Sequence, residues 1–211
     1  DHVLTKNSDK TTYPIPRLKE NFEFITDVYE LLNEHIKLKI PINPAGEWIL
    51  DNYYTIEETV KAIEKELTIK KYTEFSGISG GRYNGFARSY VLASEIVAYT
   101  DSKLTSANLE NLLRAYQRKK TLSMDEIWNI GMFLQIAIIE NIRRICEKIY
   151  ICQIQKYKVE SIIERLVENK NKDELQFKNL AIYKEKVVAQ ADMKYPFIEY
   201  MSYKLKRYGK K

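Results

Sequence analysis

Two apolar stripes with helical spacing lie on either side of a proline break, and they constrain this chain more than any other feature. Leu18, Phe22, Ile25, Tyr29, Leu32 and Ile36 recur at alternating steps of four and three residues. Ile49, Tyr53, Ile56, Val60, Ile63 and Leu67 repeat the pattern. Such spacing puts each set on one face of a helix. Pro41 ends the first run, and Asn43 followed by Pro44 supplies an N-cap and a first helical residue for the second. Two such stripes joined by a short loop predict an antiparallel helical hairpin.

The rest of the chain reads the same way. With only 5 prolines and 7 glycines in 211 residues, long regular elements are expected. A third helix is predicted over Ala87–Tyr99. A fourth starts at Leu104-Thr105, with Thr105 as cap. A fifth starts at Ser123, where Ser123 and Glu126 have capping-box spacing and Leu122 can staple to Ile127. This fifth helix is apolar on most faces through Ile142, which makes it the central buried one, and it is read as running on past Tyr150. Two more are expected, over about residues 174–190 and 196–208, after a break at 169–173. No strand-like alternation is sustained. The expected fold is all-α, a bundle of seven or eight helices with one glycine- and aromatic-rich loop. Residues 1–13 read as a disordered leader, and 14–211 as a single helical domain with a sub-boundary near 169–173. A start at Asp1 without a methionine reads as a piece excised from a larger protein.

Composition excludes several functions. Cys146 and Cys152 are six apart, on different helix faces, so no disulfide between them is expected. His2 and His35 have no ligand spacing, and there is no CxxC, so no metal site or cofactor is expected. The longest apolar run, Ile127 to Ile139, is interrupted by Asn129 and Gln135 and falls short of the roughly 20 residues needed to cross a bilayer. From Lys194 onward there are six Lys/Arg against one acid, Glu199, which is the whole formal net charge of +5. The neutral remainder argues against nucleic acid as a partner. The basic C-terminal end suits either a solvated helix terminus or proximity to anionic lipid.

Polar residues cluster in three places. Pro44-Ala-Gly-Glu-Trp-Ile-Leu-Asp-Asn-Tyr-Tyr-Thr-Ile-Glu-Glu58 carries Glu47, Trp48, Asp51, Asn52, Glu57 and Glu58 on an otherwise amphipathic helix. Gly80-Gly-Arg-Tyr-Asn-Gly-Phe-Ala-Arg-Ser-Tyr90 lies in a stretch, residues 68–88, that holds four of the seven glycines. Its backbone can approach a ligand closely, and Arg82, Tyr83, Arg88 and Tyr90 offer cations and rings. Ile139-Glu-Asn-Ile-Arg-Arg144 puts Glu140, Asn141, Arg143 and Arg144 on the most apolar helix.

These stretches, with Leu122-Ser-Met-Asp-Glu-Ile-Trp128 and Pro16-Arg-Leu-Lys-Glu-Asn21, resemble in order the N-terminal region of cyclic β-1,2-glucan synthases. The resemblance covers about residues 14–150. It departs at Ala87, where the family pattern has proline, and at Ile127, where it has leucine. It implies a large membrane enzyme, in which a glucosyltransferase region using UDP-glucose is joined to a phosphorylase-like region, with this chain upstream of both. The implied role is a non-catalytic helical accessory domain, at the cytoplasmic face of the membrane, that positions the catalytic regions or holds β-1,2-glucan. Its first partner would be the rest of the parent polypeptide. The alternative is a structural interaction module docking on the membrane-embedded portion or on a second copy. A third reading, glycan cleavage by Glu47 and Asp51 at i and i+4, rests on that pair alone.

If the chain binds sugar, Trp48, Asp51, Arg82, Tyr83, Arg88 and Tyr90 are the expected lining, with rings stacked on pyranose faces. The competing reading makes Arg88 a structural residue that reaches back to Glu47 or Asp51. Glu47, Asn52, Glu57, Glu58, Glu140, Asn141, Arg143 and Arg144 are expected to form a polar network in which Arg143 or Arg144 pairs with an acid of the 47–58 helix. Trp48 and Trp128 are expected as core anchors.

Overall fold

The computed structural model describes residues 3–167 together with 199, 200, 202, 203 and 206. The predicted hairpin forms from α1 (Ile15–Lys37) and α2 (Pro44–Glu66). Pro16 sits in the first turn of α1. The Asn43 side chain accepts from the Gly46 amide, as its cap position required. Leu18, Ile25, Val28 and Leu32 of α1 are buried, as are Ile49, Tyr53, Ile56, Val60 and Ile63 of α2. Phe22 and Tyr29 are half-buried, and the last residue of the first stripe, Ile36, is exposed. Between the two helices Tyr29 stacks on Tyr53 at 3.8 Å, with the Thr26 hydroxyl and Tyr53 hydroxyl 3.0 Å apart.

Four further α-helices follow among the described residues: α3 (Ile69–Glu74), α4 (Arg88–Tyr99), α5 (Ser106–Gln117) and α6 (Met124–Val167). The described helices therefore number six, not seven or eight. The helix expected over 174–190 and the break at 169–173 lie outside the described residues. α3 falls inside the stretch read as a loop, where Thr68 caps it through the Lys71 amide. α5 starts at a capping box of Thr105 and Asn108, and α6 starts at the predicted box of Ser123 and Glu126. α6 runs through Tyr150 without a break.

The leader is not the disordered segment that its polarity suggested. β1 (Val3–Thr5) pairs antiparallel with β2 (Gly77–Ser79), and a 3-10 turn covers Lys10–Thr12. These short strands are a minor addition to a mostly helical fold.

The chain divides into two compact units, Asp1–Cys146 and Glu147–Lys211. The core of the first joins Tyr72 and Phe75, Ala87 to Val91, and Ile130 to Ile142 of α6. Phe133 is fully buried, edge-on to Phe75 and Tyr90. In the second, Ile149, Ile154 and Val159 are buried, and the Tyr200 hydroxyl donates to Glu160 at 2.8 Å. Cys146 and Cys152 are free thiols.

Candidate functional site

The glycine-rich stretch folds into a closed loop. The Ile78 amide donates to the Phe86 carbonyl at 2.9 Å, and the Gly85 amide donates to the Ile78 carbonyl at 2.8 Å. Gly80, Gly81 and Gly85 take positive φ, a conformation that glycine adopts without steric cost. The Asn84 side chain accepts from the Gly80 amide and closes the tip. Beneath the loop runs the leader: the Asp9 amide and Thr12 hydroxyl both donate to the Gly85 carbonyl, at 2.7 and 2.9 Å. A Cβ on Gly77 would stand 2.4 Å from the Asn7 carbonyl oxygen, so glycine is needed there for the leader backbone to cross. The base of the loop is thus packed structure, and its tip is open. Arg82 is exposed at the tip, its guanidinium 5.4 Å from the centre of the Tyr83 ring. Tyr83 in turn donates to Glu95 of α4.

Arg88 does not reach back to Glu47 or Asp51. It is buried with Glu126, to which it donates from Nε at 2.8 Å and from Nη2. Both side chains are almost fully enclosed, 5% and 1% exposed. Burial, the largest influence, pulls the Arg88 guanidinium down, but the bonds to Glu126, its charge and the nearby Tyr116 hydroxyl together outweigh it and hold the group above its ordinary value. Glu126 has a second task. One carboxylate oxygen accepts from the Ser123 amide at 2.7 Å, while the Glu126 amide donates to Ser123 Oγ. One carboxylate therefore caps α6 and neutralises the guanidinium at the start of α4. The Tyr116 hydroxyl of α5 is buried beside this pair, and burial raises its pKa.

The other nominated residues do not converge on one place. Tyr90 is buried, stacked on Phe86 at 5.9 Å, and serves the core. Trp48 is 49% exposed and Trp128 80% exposed, so neither anchors the core. Trp48 is one position off the Ile49 stripe, which turns its indole outward. Glu47, Asp51 and Glu58 are exposed on α2, and the Asn52 amide is spent on the Trp48 carbonyl. Glu57 pairs with Lys61 one turn on.

The polar residues of α6 meet α1 and the turn after α4. Glu140 accepts from Arg17 of α1 and from Arg144 on its own helix. Arg143 lies over the Phe24 ring at 5.1 Å, and Asn141 donates to Ser102 Oγ. Glu126, Arg17 and Glu95 are the partners that sequence reading missed. Glu126 had already been named as a cap, but its partner is 38 residues away, and no local spacing signals that.

Among the described residues, no cluster of three or more His, Cys, Asp or Glu could hold a metal ion. No helix there is long and apolar enough to cross a membrane. Among the perturbed groups, Tyr72, Tyr90 and Cys146 report burial. Burial raises the hydroxyls of Tyr72 and Tyr90 above 10.0 and the Cys146 thiol from 9.0 to about 12. Each is neutral when folded and ionises more readily when unfolded. Their contribution is complete below the unfolded values and is lost as pH rises through the folded ones. Urea midpoints should therefore fall steadily from about pH 9 upward, in step with ultraviolet tyrosinate absorbance. Midpoints that stay level through that window would show that these groups are not shielded.

No family model matches the chain. Over 151 residues it is 26% identical to the cyclic β-(1,2)-glucan synthase NdvB of Rhizobium meliloti (strain 1021). The match covers 72% of this chain and 5% of that protein. It supports distant relatedness to that synthase.

Proposed function

We propose that the chain is a non-catalytic helical accessory segment of a cyclic β-1,2-glucan synthase-like protein, which positions the catalytic regions or holds glucan at the cytoplasmic face of a membrane. The relatedness to a glucan synthase supplies the context, and the disposition of the polar residues supports the accessory role. The buried acid, Glu126, is committed to Arg88 and to a helix cap. Glu47 and Asp51 stand in solvent on one side of α2, with neither the enclosure nor the ordering partners that acid–base work requires. Trp48, Asp51, Tyr54 and Glu58 share that exposed side of α2, and Arg82 and Tyr83 sit at the open loop tip. Exposed rings next to carboxylates suit pyranose faces and hydroxyls. Arg88 and Tyr90, being buried, are left out of this lining.

The test is an NMR titration of the chain with linear and cyclic β-1,2-glucans. Saturable shifts of the Trp48 indole and of the amides around Asp51, Arg82 and Tyr83 are expected, with Trp48→Ala weakening binding several-fold. No shifts at millimolar glucan, the weak limit of about −4 kcal/mol, would leave the scaffold role alone. The second reading, a docking module, is favoured by the exposed apolar side chains at the start of α6.

A further inference from the structure

We infer that the start of α6, with the turn before it, is a contact surface for an anionic lipid membrane. Glu126 points inward to Arg88, and this fixes which face of the helix looks out. Met124, Ile127 and Trp128 occupy that outer face at i, i+3 and i+4, with 66%, 37% and 80% of their surface exposed. One turn on, a Cβ added to Gly131 would meet nothing within 4 Å, so the face stays bare. A single exposed apolar residue is ordinary. Three on one face, including a tryptophan that is mostly exposed, call for a partner.

Charge selects which partner. Arg118 and Lys119 are exposed in the turn between α5 and α6, and Lys120 is half-buried beside them. The exposed acid nearest the apolar residues is Asp125. The charge of Glu126 is cancelled by Arg88, and that of Glu110 by Arg114. The patch is therefore apolar at its tip and cationic at its edge. Indole rings settle at the headgroup level of a bilayer, and each Lys or Arg near an anionic surface strengthens the attraction. A second copy of the chain would present the same cations and be repelled. The contact is peripheral and does not depend on glucan binding.

Trp48→Phe leaves Trp128 as the sole indole of the full chain, which has 2 tryptophans. This variant is mixed with vesicles of phosphatidylcholine alone, or of phosphatidylcholine with about a third phosphatidylglycerol, at low and high salt. A blue shift of the Trp128 emission and flotation with the anionic vesicles are expected. Both should fall several-fold as salt screens the cations, and in the Arg118→Glu, Lys119→Glu double variant. Trp128→Ser should abolish flotation and leave the circular dichroism unchanged, because 80% of the residue's surface is exposed. An unshifted emission with anionic vesicles overturns the inference. Flotation that survives Trp128→Ser assigns binding to the basic C-terminal end and also overturns it. So does a blue shift that grows with protein concentration in the absence of lipid, which would mark self-association.

Discussion

Glu126→Ala should be among the most damaging single substitutions in the chain, lowering stability by about 3–5 kcal/mol. Two losses combine in it. Removing the carboxylate leaves the Arg88 guanidinium enclosed with no counter-charge, and it strips the Ser123 amide of its acceptor. The cap itself is worth about 1 kcal/mol, so most of the effect comes from the stranded charge. Glu126→Gln separates the two, because glutamine can serve in a capping box but cannot neutralise Arg88. It should fall between wild type and alanine in urea unfolding. The double variant Arg88→Met, Glu126→Leu should recover most of the loss, since a buried pair replaced by apolar groups of similar volume is often neutral or better. A double variant as unstable as Glu126→Ala would mean that the ion pair does more than cancel its own burial cost.

That pair also bears on function. Arg88 opens α4, and Glu95, farther along the same helix, receives the hydroxyl of Tyr83. The exposed loop tip is thus referenced to α4, and α4 to the first turn of α6. Weakening Glu126 should loosen the tip, which it reaches only through α4, together with the α6 face on either side of it.

The hairpin was legible because its signals are local. Stripe spacing, a capping asparagine before a proline, a cap at Thr105 and a capping box at Ser123 each act within a turn or two, and each appears where it was expected. Partner choice was not legible. Arg88 had acids available at Glu47, Asp51 and Glu126, and the choice depends on how α4 packs against the start of α6, which no spacing encodes. α3 escaped notice because six residues are too few to establish a period. The tryptophans were misplaced by a default. Large aromatic rings favour cores on average, yet Trp48 is out of phase with its own stripe, and that phase was in the sequence. The leader misled for another reason. Polarity was read as disorder, but Ser8 and Thr12 use their hydroxyls to satisfy buried groups, and a short polar segment with such partners is ordered without an apolar stripe.

Tyr72 shows how much that leader contributes, and its substitution is the other large effect. The ring is fully buried, edge-on to Tyr13 at 5.7 Å. Its hydroxyl accepts from the Ala87 amide at 3.1 Å and lies 2.8 Å from Thr12 Oγ1, while its carbonyl accepts from Ser8 Oγ at 2.6 Å. One residue thereby joins α3, the leader and the amide just before α4. Tyr72→Ala should cost about 3–5 kcal/mol through lost burial and the cavity left behind. Tyr72→Phe keeps the ring and deletes only the hydroxyl. It leaves the Ala87 amide enclosed without an acceptor, at about 1–3 kcal/mol. Hydrogen exchange distinguishes a global loss from a local one. In Tyr72→Phe, protection should fall first at Ala87, and at Asp9, whose amide bonds to Gly85, while Ile25 and Ile56 in the hairpin keep theirs. Equal loss at all four would mean that the leader is not a separately stabilised layer but part of one cooperative core. Unchanged exchange at Asp9 would mean that the leader is held by β1 and Gly85 without help from Tyr72.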